Sequence, residues 1–321
     1  MDIKQALEKE AVALGFSAFG VAPADYHPVA HNAHLRWLDK NLQGSMGYLE
    51  RGVRQRFDPR VHLPGARSVI VCAHPYYSEP EDDPSRPYVS IYARGENYHT
   101  VLKDKLEAMV DRMRGLAGEI DAMVFVDSSP ISEKTFAVRA GIGFWGRNGM
   151  VIIPKKRDGR KIQSHGSFHF LGLIITDLWL EPDLPSDVTC GQCRKCIEAC
   201  PTAAIVNDRI IDATRCISYQ TTQNKGRIPE DIAAASGNMI FGCDLCQTVC
   251  PYNSGILAAT EPRLIPDPEL VRPNLAWLLE ITPKEFAQRF ERSSIGEFKY
   301  EMFQRNLQIA DKNIKSGKTE H

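Results

Sequence analysis

The chain has 321 residues with 39 basic and 40 acidic side chains, long enough for two or three domains and too evenly charged for a global attraction to a polyanion. It has no uninterrupted apolar run of the roughly 18 residues that would suggest a membrane span, and its opening, MDIKQALEKEAVALGF, reads as an amphipathic helix, not a basic secretory signal, with no twin-arginine motif. A cytosolic monomer with reduced thiols and no membrane association is the expectation.

Residues 1–180 read as an α/β (α+β) domain. A helix over Ile3–Leu14 stops at Gly15, and after the Pro64-Gly65 turn the apolar run Ser68–Ala73 reads as a strand. Glu79–Pro87, dense in Pro, Asp and Ser, reads as a surface loop. A charged helix over Tyr98–Leu116 follows, then a strand at Ala122–Val126, a helix from Pro130 to Ala140 stopped by Gly141, and strands at Met150–Ile153 and Phe168–Thr176. Composition shifts at Glu181–Asp187, a proline-containing linker into a cysteine-rich domain over residues 181–260. Residues 261–321 begin with four prolines between Glu261 and Pro273, an extended connection, and end in a short helical segment.

Eight of the nine cysteines lie between 190 and 250. Cys190, Cys193, Cys196 and Cys200-Pro201 form a complete C-x2-C-x2-C-x3-C-P run, the ferredoxin signature whose fourth cysteine serves the other cluster. That exchange predicts one [4Fe-4S] cluster on Cys190, Cys193, Cys196 and Cys250. The second would take Cys200, Cys243 and Cys246, with Cys216 as the remaining thiolate. The 26 residues between Cys216 and Cys243 stand where an ordinary run has about two, so the second run is interrupted, not deficient. Zinc is the alternative, yet it explains two Cys-Pro endings and eight ordered thiols poorly. Cys72, in SVIVCAHP, reads as a core side chain. Two clusters sharing ligands make an electron conduit, which needs a terminus in the first domain.

Several stretches of that domain are candidates. GIGFWG (Gly141, Gly143, Gly146) matches the dinucleotide fingerprint but follows a helix and precedes a strand, so it reads as a helix stop and tight loop. DYHPVA (Asp25–Ala30) approaches a cobalt-ligating D-x-H-x-x-G box, lacks its glycine, and reads as a polar loop. In VFVDSSPISEK, Asp127 ends an apolar strand just before a helix, where ligands bind in open α/β sheets. It is either a helix-proximal cap or a proton donor whose pKa an apolar pocket raises. Arg51–Arg67 (five arginines, one acid) and Arg147–Lys161 (six basic residues, one acid) are solvated faces or phosphate-binding stretches.

LPGARSVI, ARGENYH, VDSSPISEK, RAGIGFWGRN, GSFHFLGLIITDLWLEPD, CGQCRKCIEACPTAAI, RCISYQTTQNKG and GCDLCQTVCPYN together resemble the epoxyqueuosine reductase family, cobalamin-dependent iron-sulfur oxidoreductases of tRNA queuosine synthesis, over about residues 1 to 310. The resemblance implies a first domain that binds base-off cobalamin against the ferredoxin module, whose clusters reduce the cobalt to a nucleophilic state. It implies an epoxide-bearing wobble nucleoside of a queuosine-type tRNA as substrate and a low-potential electron donor as partner. Asp127 matches the family's proton donor; Arg56, Tyr98, His99, Val151 and Gly166 fall at or near positions expected to line the cobalamin and substrate pocket. The tail carries 8 basic and 6 acidic residues over 284–321, only mildly basic for holding tRNA. A reductive-dehalogenase-like corrinoid enzyme and a non-catalytic electron-transfer module stay open as alternatives.

Overall fold

Antiparallel pairing organises the first half of the chain. The computed structural model describes residues 2–80, 83–127, 129–154, 156–157, 160–161 and 166–319. In chain order, α1 (Ile3–Ala13) leads into β1 (Ala18–Pro23), α2 (Pro28–Asp39), β2 (Ser68–Pro75), the short β3 (Tyr88–Val89), α3 (Tyr98–Ala117), β4 (Ala122–Phe125) and α4 (Glu133–Arg139). The two-residue strands β5 (Phe144–Trp145), β6 (Val151–Ile152), β7 (Lys156–Arg157) and β8 (Arg160–Lys161) precede the long β9 (His169–Thr176). The main sheet has the order β1-β2-β9-β4, every neighbouring pair antiparallel.

All eight residues of β2 are buried, which explains why its sequence is an unbroken apolar run instead of an alternating one. Alternation survives in where the side chains go. Ile70 and Cys72 face the α1 and α3 layer with Leu7, Leu102, Leu106 and Met109, while Val69, Val71 and Ala73 face the α4 layer with Phe136, Ala137 and Ala140. Cys72 is wholly buried, as a core thiol should be.

The cysteine-rich part contains α5 (Lys195–Glu198), β10 (Ile205–Asn207), β11 (Ile210–Ile211), α6 (Ile217–Thr222), α7 (Glu230–Ala235), β12 (Met239–Phe241) and α8 (Leu245–Thr248). After it come α9 (Pro268–Val271), α10 (Leu275–Glu280), α11 (Pro283–Phe290) and α12 (Tyr300–Lys315). Parallel pairing of β3 with β12 draws the Tyr88–Ala93 segment out of the first half, and Val89 and Ala93 share a core with Ile240, Phe241, Phe290, Phe303 and Leu307.

Where the sequence predicts free connections, the structure has tethers. Within Glu181–Asp187, Asp183 accepts from the Val21 amide (2.9 Å) and its own amide donates to the Val21 carbonyl (2.8 Å), while Lys4 pairs with its carboxylate (3.0 Å). Beyond residue 260, Glu261 pairs with Lys105 (2.6 Å), Arg263 with Glu96 (2.8 Å) and Asp104 (2.6 Å). Each tether spans distant parts of the sequence, so no local pattern could announce it. Asp25–Ala30 also differs from the predicted loop: His27 caps α2, its Nδ1 accepting from the Ala30 amide (3.2 Å), and Pro28 takes the first helical turn.

Helix α12 buries Met302, Phe303, Asn306, Leu307, Ala310 and Asn313, the recurring three- and four-residue steps of one helical face. Its two asparagines are bolts to the cysteine-rich part. Asn306 Nδ2 donates to the Thr221 and Ile240 carbonyls (2.8 and 2.9 Å), and Asn313 Nδ2 to those of Ala233 and Gly237 (2.8 and 2.9 Å). Asn306→Ala strands two buried acceptors, so a loss of about 2–4 kcal/mol of stability is expected in denaturant unfolding. A loss below about 0.5 kcal/mol would mean water replaces the amide freely.

Candidate functional site

A cavity of about 410 Å³, within the range of cofactor sites, opens where the sheet meets the cysteine-rich part. Its wall contains Cys200, Cys216, Cys243 and Cys246 together with Tyr98, Asp127 and Lys134. Cys190, Cys193, Cys196 and Cys250 surround a second, smaller hollow. The eight thiols therefore gather in the two quartets that ligand exchange between the runs requires. Short helices do the placing: the one-turn helices α5 and α8 carry Cys196 and Cys246, and the following Pro201 or Pro251 turns the chain away. Cys216 reaches its quartet from the junction of a 3-10 turn with α6.

Burial first, then the neighbouring Cys216 charge, pushes the Cys246 thiol well above its usual value. Burial pushes Cys216 and Cys243 up as well, and such thiols in one wall ionise together only against a strongly cationic centre, which the iron of a cluster supplies. Among the described residues no three His, Cys, Asp or Glu side chains converge on a single ion-sized point; the thiols stand around hollows instead.

Asp127 follows β4 in a strained backbone position, φ 46°, in the left-handed region. Its amide donates to Glu133 Oε1 (2.6 Å), which holds the turn. Its carboxylate accepts from the Tyr98 hydroxyl and lies 3.1 Å from His99 Nε2. More than half of the side chain (58%) is accessible, facing the cavity it lines. Here the structure differs from the apolar pocket that the sequence suggests. Burial pushes the Asp127 carboxyl up, but hydrogen bonds from His99 and Tyr98 and the charges of His99 and Lys134 outweigh it and hold the group below the usual carboxylate range. The raised carboxyl is Glu133, pushed up to about 8 by burial and then by the Asp127 charge. Tyr98 is fixed by stacking on Phe170, centroids 4.1 Å apart and 2° between planes.

The other predicted contacts divide. Tyr98 and Val151 line the cavity. His99 touches it through Asp127. Arg56 donates to the Tyr48 carbonyl (2.9 Å) and lies beside the Tyr48 ring; burial and then the Asp127 charge push that phenol up, which sets the pair on the Asp127 side. Gly166 stands behind the wall, bridged to Ile153, at φ 55°, and a Cβ there would overlap Asn253 Oδ1. Its freedom serves a latch: the Ser167 amide donates to Asn253 Oδ1 (2.8 Å) and the Ser167 hydroxyl to Gln247 (2.9 Å), joining β9 to the second cysteine run. Likewise Gly143 of GIGFWG sits against the Ile152 carbonyl in a hairpin of β5 with β6, with no phosphate-binding helix after it. Five of the six basic residues of Arg147–Lys161 have side chains outside the described residues; Arg147 itself pairs with Asp208.

Sequence reasoning passed over Glu133 and Lys134, although both stand in VDSSPISEK, six and seven residues after Asp127. It also missed Asp244, buried between two cysteines, which accepts from Tyr88, from the Ser90 hydroxyl (2.7 Å) and from the Ile91 amide (2.8 Å). Only its position inside C-D-L-C was a signal.

Residues 189–253 match the 4Fe-4S double cluster binding domain, and residues 56–128 the family described as Epoxyqueuosine reductase QueG, DUF1730. An epoxyqueuosine reductase of Cyclobacterium marinum is 40% identical over 306 residues, covering 94% of this chain and 95% of the relative; that of Bacillus subtilis is 35% identical over 325 residues, covering 98% and 80%. A solved structure of epoxyqueuosine reductase with a tRNA-Tyr epoxyqueuosine-modified stem loop superposes with a TM-score of 0.88 at 34% identity, covering 98% of this chain and 82% of that one. Identity at this level along nearly the full length of both chains, on a fold that gathers the thiols beside Asp127, means that the chain belongs to the epoxyqueuosine reductase family.

Proposed function

We propose that the protein reduces epoxyqueuosine to queuosine in tRNA, with two [4Fe-4S] clusters and cobalamin as its cofactors. The observation that carries this reading is one wall holding both a cysteine quartet and a polar Asp127 centre, so that electron supply and proton supply meet in a single cavity. Cys190, Cys193, Cys196 and Cys250 hold the first cluster, and Cys200, Cys216, Cys243 and Cys246 the second, at the cavity. Residues 1–180 supply the cavity's proton-handling side, 181–260 the clusters, and 261–321 the helical buttress.

The cavity's size and its aromatic and aliphatic lining, including Tyr98, Val151 and Phe170, suit a flat corrin face beside the second quartet. When bound there, cobalamin supplies a strongly reducing, nucleophilic metal. Among the described residues, no histidine lines that wall next to the cysteine quartet except His169, whose neighbours Phe170 and Leu171 also line it. Tyr98 and Val151 would hold the ring, with Arg56 and Tyr48 on the Asp127 side. Asp127 delivers one of the two protons consumed as both epoxide carbon-oxygen bonds break and the oxygen leaves as water, solvent supplying the other; two electrons enter for each epoxide reduced. Tyr98 and His99 both grip Asp127 Oδ2 and so fix the carboxylate in the cavity wall.

A soluble, low-potential carrier supplies electrons at the first cluster, whose Cys190 and Cys193 are flanked by exposed Gly191, Gln192, Arg194 and Lys195. No helix among the described residues is long and apolar enough to cross a membrane; a tRNA substrate supports a cytosolic location, where we take the protein to act as a monomer. Incubating anaerobically reconstituted protein with cobalamin, a strong reductant and an epoxyqueuosine-bearing stem loop, then analysing digested nucleosides, should yield queuosine. Unchanged epoxyqueuosine with both clusters and cobalamin bound would overturn the reading.

A further inference from the structure

Asp127 is held as a carboxylate, so the proton it delivers must come from a neighbour. His99 lies 3.1 Å from Asp127 Oδ2 through Nε2 and 3.3 Å from Glu297 Oε1 through Nδ1. A neutral imidazole donates from one nitrogen only; both donate only in the cation. An imidazole set between two carboxylates is therefore positioned as an imidazolium.

Glu297 comes from far along the chain, in the 3-10 turn Ser294–Glu297 before α12. It is not a loose surface acid. The Asn97 side-chain amide donates to the same Oε1 (2.7 Å), the Asn97 backbone amide donates to the Arg292 carbonyl (2.7 Å), and Arg292 pairs with Glu96 (2.7 Å). The start of α3 and the C-terminal segment are thus pinned together around His99. The other groups facing this centre are Tyr98 on α3, Lys134 and Glu133 on α4, Tyr92, which feels the charges of both Asp127 and Glu297, and Tyr48, which feels that of Asp127.

We propose that Glu297 is a positioning residue for the reduction: by gripping His99 Nδ1 it fixes the imidazolium whose Nε2 proton passes to Asp127 and from there to the substrate. The step balances. The Nε2–H bond breaks, the Asp127 O–H bond forms and then breaks at the substrate, and neutral His99 keeps its Nδ1 proton on Glu297 until solvent restores the other. Burial of His99 favours the neutral ring, but the hydrogen bond and charge of Asp127 and the charge of Glu297 overcome it and raise its pKa. The inference rests on Asp127 as the proton donor.

The test uses Glu297→Gln, which keeps the shape and the acceptor for Asn97 but removes the charge. Glu297 is 56% exposed, and Glu297→Ala serves as a second variant. Histidine-labelled holoprotein, with His99→Gln to assign the resonance, should show the His99 titration midpoint lowered in both variants. The alkaline limb of the kcat profile should move to lower pH, with a several-fold loss above the new midpoint and iron content unchanged. In the His99→Gln background, Glu297→Gln should have no further effect. An unmoved His99 titration, or an equal loss of kcat with and without His99, would overturn the proposal. Should the unaltered enzyme fail to convert the stem loop, the proposed function falls, and the titration still judges the Glu297–His99 link.

Discussion

Cys216→Ser is expected to leave the protein with about four iron atoms instead of about eight per chain, the missing set being the cluster at the cavity. Cys216 is the one proposed ligand outside the two cysteine clusters Cys190–Cys200 and Cys243–Cys250. Its thiol faces the cavity shared by Cys200, Cys243 and Cys246, and the backbone amides of Ser218 and Tyr219 point at its sulfur. Burial pushes that thiol up and the two amides oppose it, an arrangement that favours sulfur carrying charge once iron is present. A serine hydroxyl has nearly the same size but is harder and far less acidic, so it replaces a thiolate poorly on a four-iron core. The first quartet surrounds a separate hollow and should keep its iron. Iron and sulfide analysis with electron paramagnetic resonance of the reduced protein separates the two clusters. Unchanged iron in Cys216→Ser would mean that the fourth ligand comes from elsewhere and that the pairing of the two runs is wrong.

How much of this was legible beforehand depends on the range over which each signal acts. The cysteine spacing is a local code, and so are the caps and stops that bound α1, α3 and β2; these read directly from residues a few positions apart. The strand β1 was missed because AFGVAP is short and carries a glycine, which the structure uses to let α4 approach at Ala140. Placing Asp127 by analogy with parallel sheets reached a cavity for an insufficient reason, since the sheet is antiparallel throughout and the site forms where the cysteine-rich part closes over it. The polarity of the Asp127 surroundings was not legible at all: Tyr98 and His99 are 29 and 28 residues away in sequence, and Glu297 lies 198 beyond His99. Charges brought together by folding decide a pKa, and no window along the chain contains them.

Asp127→Asn should lower kcat by about 10²–10⁴-fold, the usual share of a positioned acid, while iron content and cobalamin binding stay as they were. The amide keeps a carbonyl for the Tyr98 hydroxyl but has no proton to give. It also removes one of the two charges on His99, so the imidazole midpoint should fall in the same variant. The pH dependence of stability follows from the signs. Asp127 is held low, so its contribution is present above the ordinary carboxylate range and is lost as pH falls through its depressed value. His99 is held high, so its contribution is complete below the ordinary histidine value and fades as pH rises through its raised one. The pair therefore stabilises the unaltered protein in the window between, and Asp127→Asn should narrow the stability difference between neutral and mildly alkaline pH. The variant's turnover decides the assignment: kcat within a few-fold of the parent, at normal cofactor loading, would move the proton donor to another group on the wall, with the raised carboxyl of Glu133 the first to examine.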